Sequence, residues 1–126
     1  EAIREQAAAA GGRLTITNHN DDAFAGAEVV YAKSWGSRSF YGAPEKDVAE
    51  RAQHRAQWIV DEPRMARTKS GIFMHCLPVR RNVIVTDRVI DSPSSVVIDE
   101  AENRLHIQKA IMTELLGNEL TADERG

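Results

Sequence analysis

The chain has 126 residues, of which 42% are hydrophobic and 28% are charged. This length suits one domain, and the hydrophobic content excludes a mostly disordered chain. With a formal net charge of −3, the chain lacks the basic excess that indicates a nucleic-acid or anionic-membrane partner.

The sequence contains neither a candidate membrane span nor a metal-binding motif. No apolar run approaches the roughly 18 residues of a transmembrane helix, and no basic-then-apolar leader opens the chain. The single cysteine, Cys76, rules out an internal disulfide and suits a reducing compartment. The four histidines lack paired ligand spacing on any one element. We therefore expect a soluble, cytoplasmic protein without a metal site.

The first third of the chain predicts a helix, a strand, a helical turn and a second strand. Residues 1–10 have strong helix propensity, which Gly11 and Gly12 end. Strands are predicted at residues 13–17 and 27–32, the second with little polarity on either face, and a helical turn at residues 20–26. Because the first residue is Glu1 rather than Met and lies inside a helix, we expect the chain to be cut from a larger protein.

The rest of the chain continues the alternation of helices and strands. An irregular loop at residues 33–47 follows the second strand, and such positions are where open α/β sheets bind ligands. Further helices are predicted at residues 48–60, 61–69, 86–90 and 99–116, and strands at residues 72–76 and 95–98. The expected fold class is α/β, a Rossmann-like open, mostly parallel sheet with helices on both faces. We expect a binding domain over residues 1–117, with Gly117 ending its last helix, and a polar C-terminal tail at residues 118–126.

Arg104 lies within the apolar arc of the last predicted helix. On a helical wheel it falls among Ile107, Ile111 and Leu115. A guanidinium directed at a packed side needs an anion, because it does not deprotonate. That anion is either a protein carboxylate in a buried ion pair or a bound ligand, and the wheel leaves both open.

A second cluster of reactive and charged groups follows the third predicted strand. Backbone carbonyls, the Cys76 thiol and the guanidinium groups of Arg80 and Arg81 are expected around one crevice. The arginines suit a carboxylate or phosphate, and their charge favours the thiolate. The alternative is a cysteine that fills the core beside two solvated arginines. His75 is badly placed to activate the thiol as a nucleophile, because adjacent strand residues point to opposite faces.

Three segments carry motifs in a characteristic order and spacing. They are Tyr31-Ala-Lys-Ser-Trp35, Phe73-Met-His-Cys-Leu-Pro-Val-Arg-Arg-Asn82 and Asp99-Glu-Ala-Glu-Asn-Arg-Leu-His-Ile-Gln-Lys-Ala110. Together they resemble the carboxyl-terminal domain of the aspartate/ornithine carbamoyltransferase family, and the resemblance covers nearly the whole chain. It implies transfer of a carbamoyl group from carbamoyl phosphate to an amine in arginine biosynthesis, without a metal or organic cofactor.

The segment after the second strand resembles the acylornithine branch of this family. Ornithine enzymes carry an Asp and a Ser-Met-Gly there, whereas Ala32-Lys33-Ser34-Trp35-Gly36 stands here. Without the Asp, a free α-ammonium has no partner, and the cations Lys33 and Arg80 suit the carboxylate of an acylated amino acid. The resemblance therefore implies N-acetylornithine as acceptor. N-succinylornithine, ornithine and a non-catalytic amino-acid-binding module remain alternatives.

The resemblance also implies roles for individual residues. Cys76 and Leu77 resemble residues that bind carbamoyl phosphate, the Leu77 carbonyl also orienting the δ-amine of the acceptor. Arg104 resembles the arginine that holds carbamoyl phosphate, and Lys33 and Arg80 resemble contacts of the acylated acceptor. Family members are trimers with an amino-terminal domain that carries Ser-Thr-Arg-Thr-type and His-Pro-x-Gln-type segments, and neither string occurs here. We therefore expect a homotrimer for the intact protein and no activity for the isolated chain.

Overall fold

The structure of the chain, a computed structural model, describes residues 2–123, with side chains described as far as residue 117. The helices are α1 (Ala2–Ala9), α2 (Asn20–Phe24), α3 (Pro44–Trp58), α4 (Glu62–Met65), α5 (Asp87–Ile90) and α6 (Val97–Asp123), with a short 3-10 helix at Arg38–Phe40. The strands are β1 (Val29–Tyr31) and β2 (Ile72–Met74).

The two strands form a parallel sheet. Tyr31 lies opposite Met74 in the register, and single parallel bridges continue the pairing from Phe73 to Ser95 and from Val60 to Val85. Parallel neighbours need a crossover connection, which α3 and α4 supply between β1 and β2. The expected α/β class with an open parallel sheet is confirmed.

The core lies around β2, α5 and the first turn of α6. Phe73 and Val85 are fully buried, and the remaining members of the cluster are Val60, Val89, Ile90 and Val97. The N-terminus of α5 is fixed by Thr86, whose hydroxyl accepts the Val89 N–H at 3.3 Å. This core supports the carboxyl end of β2, where the sequence places its candidate site.

Several predicted elements differ from those in the structure. Residues 13–17 form no strand, because they have no neighbouring strand to pair with in the described part of the chain. In the segment 95–98 only Ser95 bridges to the sheet, and the helix begins at Val97. Gly117 does not end α6, which continues to Asp123: a glycine costs a helix only about 1 kcal/mol, and the good helix formers Leu115 and Leu116 precede this one. Residues 124–126 of the predicted tail lie outside the described residues.

The apolar arc of α6 is not buried within this chain. Its large hydrophobic side chains beyond the first turn are more than half exposed: Leu105, Ile107, Ile111, Met112, Leu115 and Leu116. Arg104 is likewise exposed, so the expectation that it points at a packed side is corrected. Although α6 has 27 residues, neither it nor any other helix in the described part of the chain is apolar enough to cross a membrane.

Candidate active site

The carboxyl ends of β1 and β2 bring Lys33 next to Cys76. Since Tyr31 and Met74 are partners in a parallel register, the residues two positions further along leave the sheet at the same edge. The Lys33 Nζ donates to the Cys76 Sγ at 3.3 Å. Lys33 is exposed and Cys76 half-buried, so the ammonium and the thiol both face this edge of the sheet.

The chain turns sharply after β2, at Leu77. This residue has a φ of +44°, in the left-handed region that costs an L-residue with a side chain roughly 1–2 kcal/mol. Its N–H donates to the Nδ1 of His75 at 2.9 Å, and the Leu77–Pro78 peptide bond that follows is cis. The buried Phe73 of β2 and this hydrogen bond hold the turn in place.

Arg104 reaches the same turn from α6. Its Nη1 donates to the Cys76 carbonyl at 3.2 Å, and Leu77 and Arg104 line one cavity of about 580 Å³. Among the described side chains no carboxylate lies within 4.0 Å of the Arg104 guanidinium. A guanidinium has five N–H donors, so Arg104 keeps donors for a bound anion while one of them holds the turn.

The two arginines after the turn have different surroundings. Arg81 forms ion pairs with Asp87 at 3.0 Å and with Asp91 at 2.6 Å. The expectation that both arginines serve one ligand is therefore wrong for Arg81, whose charge these carboxylates neutralise. Arg80 is exposed and lines a cavity of about 510 Å³ together with Trp35, on the loop after β1. The structure thus brings Lys33, Cys76, Leu77 and Arg104 together and places Arg80 in a neighbouring cavity.

An ion pair within α3 holds the loop that follows β1. Arg51 is only 8% exposed and pairs with Asp47 at 2.6 Å. The other oxygen of Asp47 accepts the Ser37 N–H at 2.9 Å. Residues 33–47 were predicted to be an irregular loop, but α3 begins at Pro44 and supplies an anchor that sequence reasoning missed.

Tyr31 and Glu100 form a second contact that sequence reasoning missed. The Tyr31 hydroxyl donates to the Glu100 Oε1 at 2.8 Å. This hydrogen bond is the largest cause that raises the pKa of Tyr31 to about 12, followed by burial and by the negative charge of Glu100. The contact joins the end of β1 to the start of α6, next to Cys76. Both residues lie in the segments that carry the family resemblance, which is the one signal that could have drawn attention to them.

A mostly apolar cavity of about 440 Å³ opens beside Lys33. Ala32, Trp35, Trp58 and Ile84 are among its walls. The described residues that line it include neither aspartate nor glutamate. Among the described residues that line it, Lys33 is the one charged side chain.

The site offers cations and carbonyl groups rather than a nucleophile with a base. The Nδ1 of His75 is occupied by the Leu77 N–H, and the Cys76 thiol contacts Lys33 instead of an imidazole. Within the described residues, no three His, Cys, Asp or Glu side chains are arranged to hold a metal ion. Fixed positive groups of this kind stabilise negative charge that develops on oxygen atoms during a reaction.

The chain is thus an α/β domain with a parallel sheet that carries cations and a backbone turn at its carboxyl edge. The family model "Aspartate/ornithine carbamoyltransferase, Asp/Orn binding domain" matches residues 1–115. The chain belongs to this family.

Curated relatives are carbamoyltransferases of two acceptor types. The chain is 55% identical over 115 residues to the N-acetylornithine carbamoyltransferase of Xanthomonas campestris pv. campestris, covering 90% of this chain and 33% of the relative. It is 38% identical over 117 residues to the ornithine carbamoyltransferase of Methanoculleus marisnigri, covering 92% of this chain and 37% of the relative. The chain therefore spans about a third of the length of the relatives it matches.

Solved structures show the same fold. Acetylornithine transcarbamylase complexed with acetylcitrulline matches with a TM-score of 0.74 and 56% identity, over 86% of this chain and 32% of that one. A mutant of N-acetyl-L-ornithine transcarbamylase complexed with carbamyl phosphate and N-succinyl-L-norvaline gives the same TM-score, identity and coverage.

Proposed function

We propose that this chain is the acceptor-binding domain of an enzyme that transfers a carbamoyl group from carbamoyl phosphate to the δ-amine of N-acetylornithine. The products are N-acetylcitrulline and phosphate. The proposal rests on two contacts at Cys76: Lys33 donates a hydrogen bond to its thiol, and Arg104 donates one to its carbonyl. The 55% identity to an N-acetylornithine carbamoyltransferase supports it.

The turn after β2 and Arg104 form the half of the site that takes carbamoyl phosphate. Arg104 is exposed and donates to the Cys76 carbonyl, so its remaining N–H groups hold the carbamoyl phosphate beside that carbonyl. The Leu77 carbonyl orients the neutral δ-amine of the acceptor. The amine nitrogen bonds to the carbamoyl carbon, the bond from that carbon to the phosphate oxygen breaks, and the amine loses a proton. Catalysis then comes from positioning and from charge stabilisation, without a covalent enzyme intermediate.

The loop after β1 and the cavity beside Lys33 form the acceptor half. The cavity presents Lys33 and no carboxylate from the described residues, and Arg80 lines the neighbouring cavity. These cations match the carboxylate of an acylated amino acid, whose α-nitrogen is uncharged. Free ornithine brings an α-ammonium next to Lys33 without a partner, so it is disfavoured. N-succinylornithine, which adds a second carboxylate, is the competing acceptor.

The intact protein is proposed to be a cytoplasmic homotrimer that acts in arginine biosynthesis. The binding domain comprises residues 1–117, and the isolated chain is inactive, because it lacks the phosphate-binding strings of the family's other domain. Formation of acylcitrulline by the 126 residues alone would contradict this last point.

The proposal is tested in a chimera that supplies the rest of the enzyme. Residues 1–115 of this chain replace the matching third of the Xanthomonas campestris relative, and circular dichroism checks that the chimera is folded. Turnover of carbamoyl phosphate is measured with N-acetylornithine, N-succinylornithine and ornithine at equal concentrations. We expect the highest kcat/KM with N-acetylornithine, because its single carboxylate meets Lys33 and its amide needs no counter-charge.

A matched variant separates charge from shape in the same assay. Lys33→Met keeps most of the side-chain length and removes the ammonium. We expect kcat/KM for N-acetylornithine to fall, and the ratio of kcat/KM for ornithine to that for N-acetylornithine to rise. A folded chimera that prefers ornithine would refute the acceptor assignment. A folded chimera without turnover on any of the three would favour the non-catalytic binding module.

A further inference from the structure

His75 is a buried titratable group to which the proposed reaction assigns no task. It is 1% exposed and directly precedes Cys76. Its Nδ1 accepts the Leu77 N–H at 2.9 Å, whereas its Nε2 is buried without a hydrogen-bond partner in the described structure. A ring that accepts at Nδ1 and is neutral carries its proton on Nε2.

His75 and Arg104 bind opposite ends of the same peptide unit. The Cys76 carbonyl and the Leu77 N–H are the two polar ends of one planar unit. Arg104 donates to the carbonyl end at 3.2 Å, and His75 accepts from the amide end. Two hydrogen bonds at opposite ends fix the rotation of the plane, and this plane leads into the left-handed Leu77.

We propose that His75 is a positioning residue of this site, which acts by fixing the Cys76–Leu77 peptide plane and, through its carbonyl, the Arg104 guanidinium. Because the imidazole is buried, it acts through this plane rather than by contact with a substrate. The turnover readout of this inference rests on the proposed function. The conformation of the turn can be measured without it.

The surroundings of His75 keep it in the neutral form that this role requires. Burial is the largest effect and lowers the pKa of His75 below its ordinary value of 6.5. Glu100, at the start of α6, opposes this, and Lys33, after β1, reinforces it. Protonation would put a second N–H opposite the Leu77 N–H, and the hydrogen bond that holds the plane would be lost.

Two substitutions at this position separate the acceptor atom from the bulk of the ring. In His75→Asn the side-chain oxygen stands as many bonds from Cα as Nδ1 does, so it accepts the Leu77 N–H. In His75→Leu the apolar volume is kept and the acceptor is lost. Both are made in the chimera, and we measure kcat, the KM of carbamoyl phosphate and the melting temperature.

We expect the order of activity to differ from the order of stability. His75→Leu raises the KM of carbamoyl phosphate by about tenfold, the factor that the loss of one hydrogen bond corresponds to. His75→Asn stays near the parent even where its buried amide lowers the melting temperature more. Arg104→Ala also costs less in the His75→Leu background than in the parent, because the two residues act on one peptide plane.

A merely structural role gives different results. The inference is overturned if His75→Leu leaves the KM of carbamoyl phosphate unchanged, if His75→Asn is no better than His75→Leu, or if the His75→Leu and Arg104→Ala effects simply add. Should the parent chimera form no product, hydrogen exchange of the Leu77 amide in the 126-residue chain decides. Slow exchange in the parent and His75→Asn with fast exchange in His75→Leu supports the inference, and equal rates in all three overturn it.

Discussion

Two segments meet at the carboxyl edge of the sheet, and different interactions hold them. The turn after β2 is held at both ends of the Cys76–Leu77 peptide plane, by the side chains of His75 and Arg104, above a fully buried Phe73. The loop after β1 is held at one backbone group, the Ser37 N–H, by Asp47, which also forms an ion pair with Arg51. Both segments contribute to one candidate site, because Lys33 contacts Cys76.

This difference shows how one fold can keep a donor site and vary its acceptor site. A turn that is held at both ends of one peptide plane and rests on the core tolerates little change. In the proposed reaction this turn binds carbamoyl phosphate, the substrate shared with ornithine carbamoyl transfer. A loop held by one ion pair can exchange residues more freely, and Lys33 is the residue through which such an exchange reaches the Cys76 thiol. The identities of 55% to an N-acetylornithine enzyme and 38% to an ornithine enzyme accord with a common donor and different acceptors.

The largest expected effect comes from breaking the turn's contact with α6. In the chimera, Arg104→Ala removes the charged donor to the Cys76 carbonyl and, in the proposed reaction, to carbamoyl phosphate. We expect binding of carbamoyl phosphate to weaken by about 1.5–3 kcal/mol, as is typical of a charge-assisted hydrogen bond. Isothermal titration with carbamoyl phosphate measures this directly.

A second arginine controls for the loss of charge. Arg88 on α5 is 88% exposed and pairs with Glu62, so Arg88→Ala removes the same charge without removing a hydrogen bond to the Cys76 carbonyl. It should leave carbamoyl phosphate binding unchanged. Equal weakening in both variants would mean that net charge, rather than the contact with Cys76, governs donor binding.

A smaller effect is expected from breaking the anchor of the loop. Asp47→Ala leaves the Ser37 N–H without its acceptor and Arg51 buried without its carboxylate, which costs about 1–3 kcal/mol of stability. In the chimera the KM of N-acetylornithine should rise, whereas the KM of carbamoyl phosphate should not.

The conservative variant at the same position refines this test. Asp47→Asn keeps an oxygen for the Ser37 N–H and loses only the charge, so its effect on the acceptor KM should be smaller than that of Asp47→Ala. If both KM values rise together in Asp47→Ala, the loop and the turn are not independent, and the contrast drawn between them fails.

The turn was largely predictable from the sequence. An apolar strand that ends in His75-Cys76-Leu77-Pro78 places a thiol and carbonyl groups at the edge of a parallel sheet. The spacing of Lys33 behind β1 puts it at the same edge once the strands are paired. These inferences depend on neighbouring residues and on the geometry of parallel sheets, which the sequence encodes locally.

The contacts between distant elements were not predictable. Tyr31 and Glu100 are far apart in the chain and meet only because α6 begins beside β1. The partners of Arg81 lie on α5 and just after it, so its neutralisation depends on how that short helix packs. The exposure of the α6 arc was also missed, because the helical wheel shows which side is apolar and does not show whether anything covers it.

The smallest expected effect concerns the exposed cluster of Arg81, Asp87 and Asp91 behind the turn. The pKa of Asp91 lies below its ordinary value of 3.8, chiefly because Arg81 donates hydrogen bonds to it. The pKa of Asp87 is also lowered, by the Asn82 amide first and by Arg81 second. Because the folded-state values are lower than the unfolded ones, the cluster stabilises the fold above the ordinary pKa. This contribution is lost as the pH falls through the lowered values.

Urea unfolding of the 126-residue chain as a function of pH measures this contribution. Asp91→Asn should shift the urea midpoint slightly downward near neutral pH, and its difference from the parent should vanish in acid well below pH 3.8 and shrink in high salt. Asp99→Asn serves as the matched control, since no ion pair to Asp99 occurs within 4.0 Å among the described residues. A difference for Asp91→Asn that persists in strong acid would show that the carboxylate acts through packing rather than through its charge. The cluster would then stabilise the turn by packing, as the core residues do.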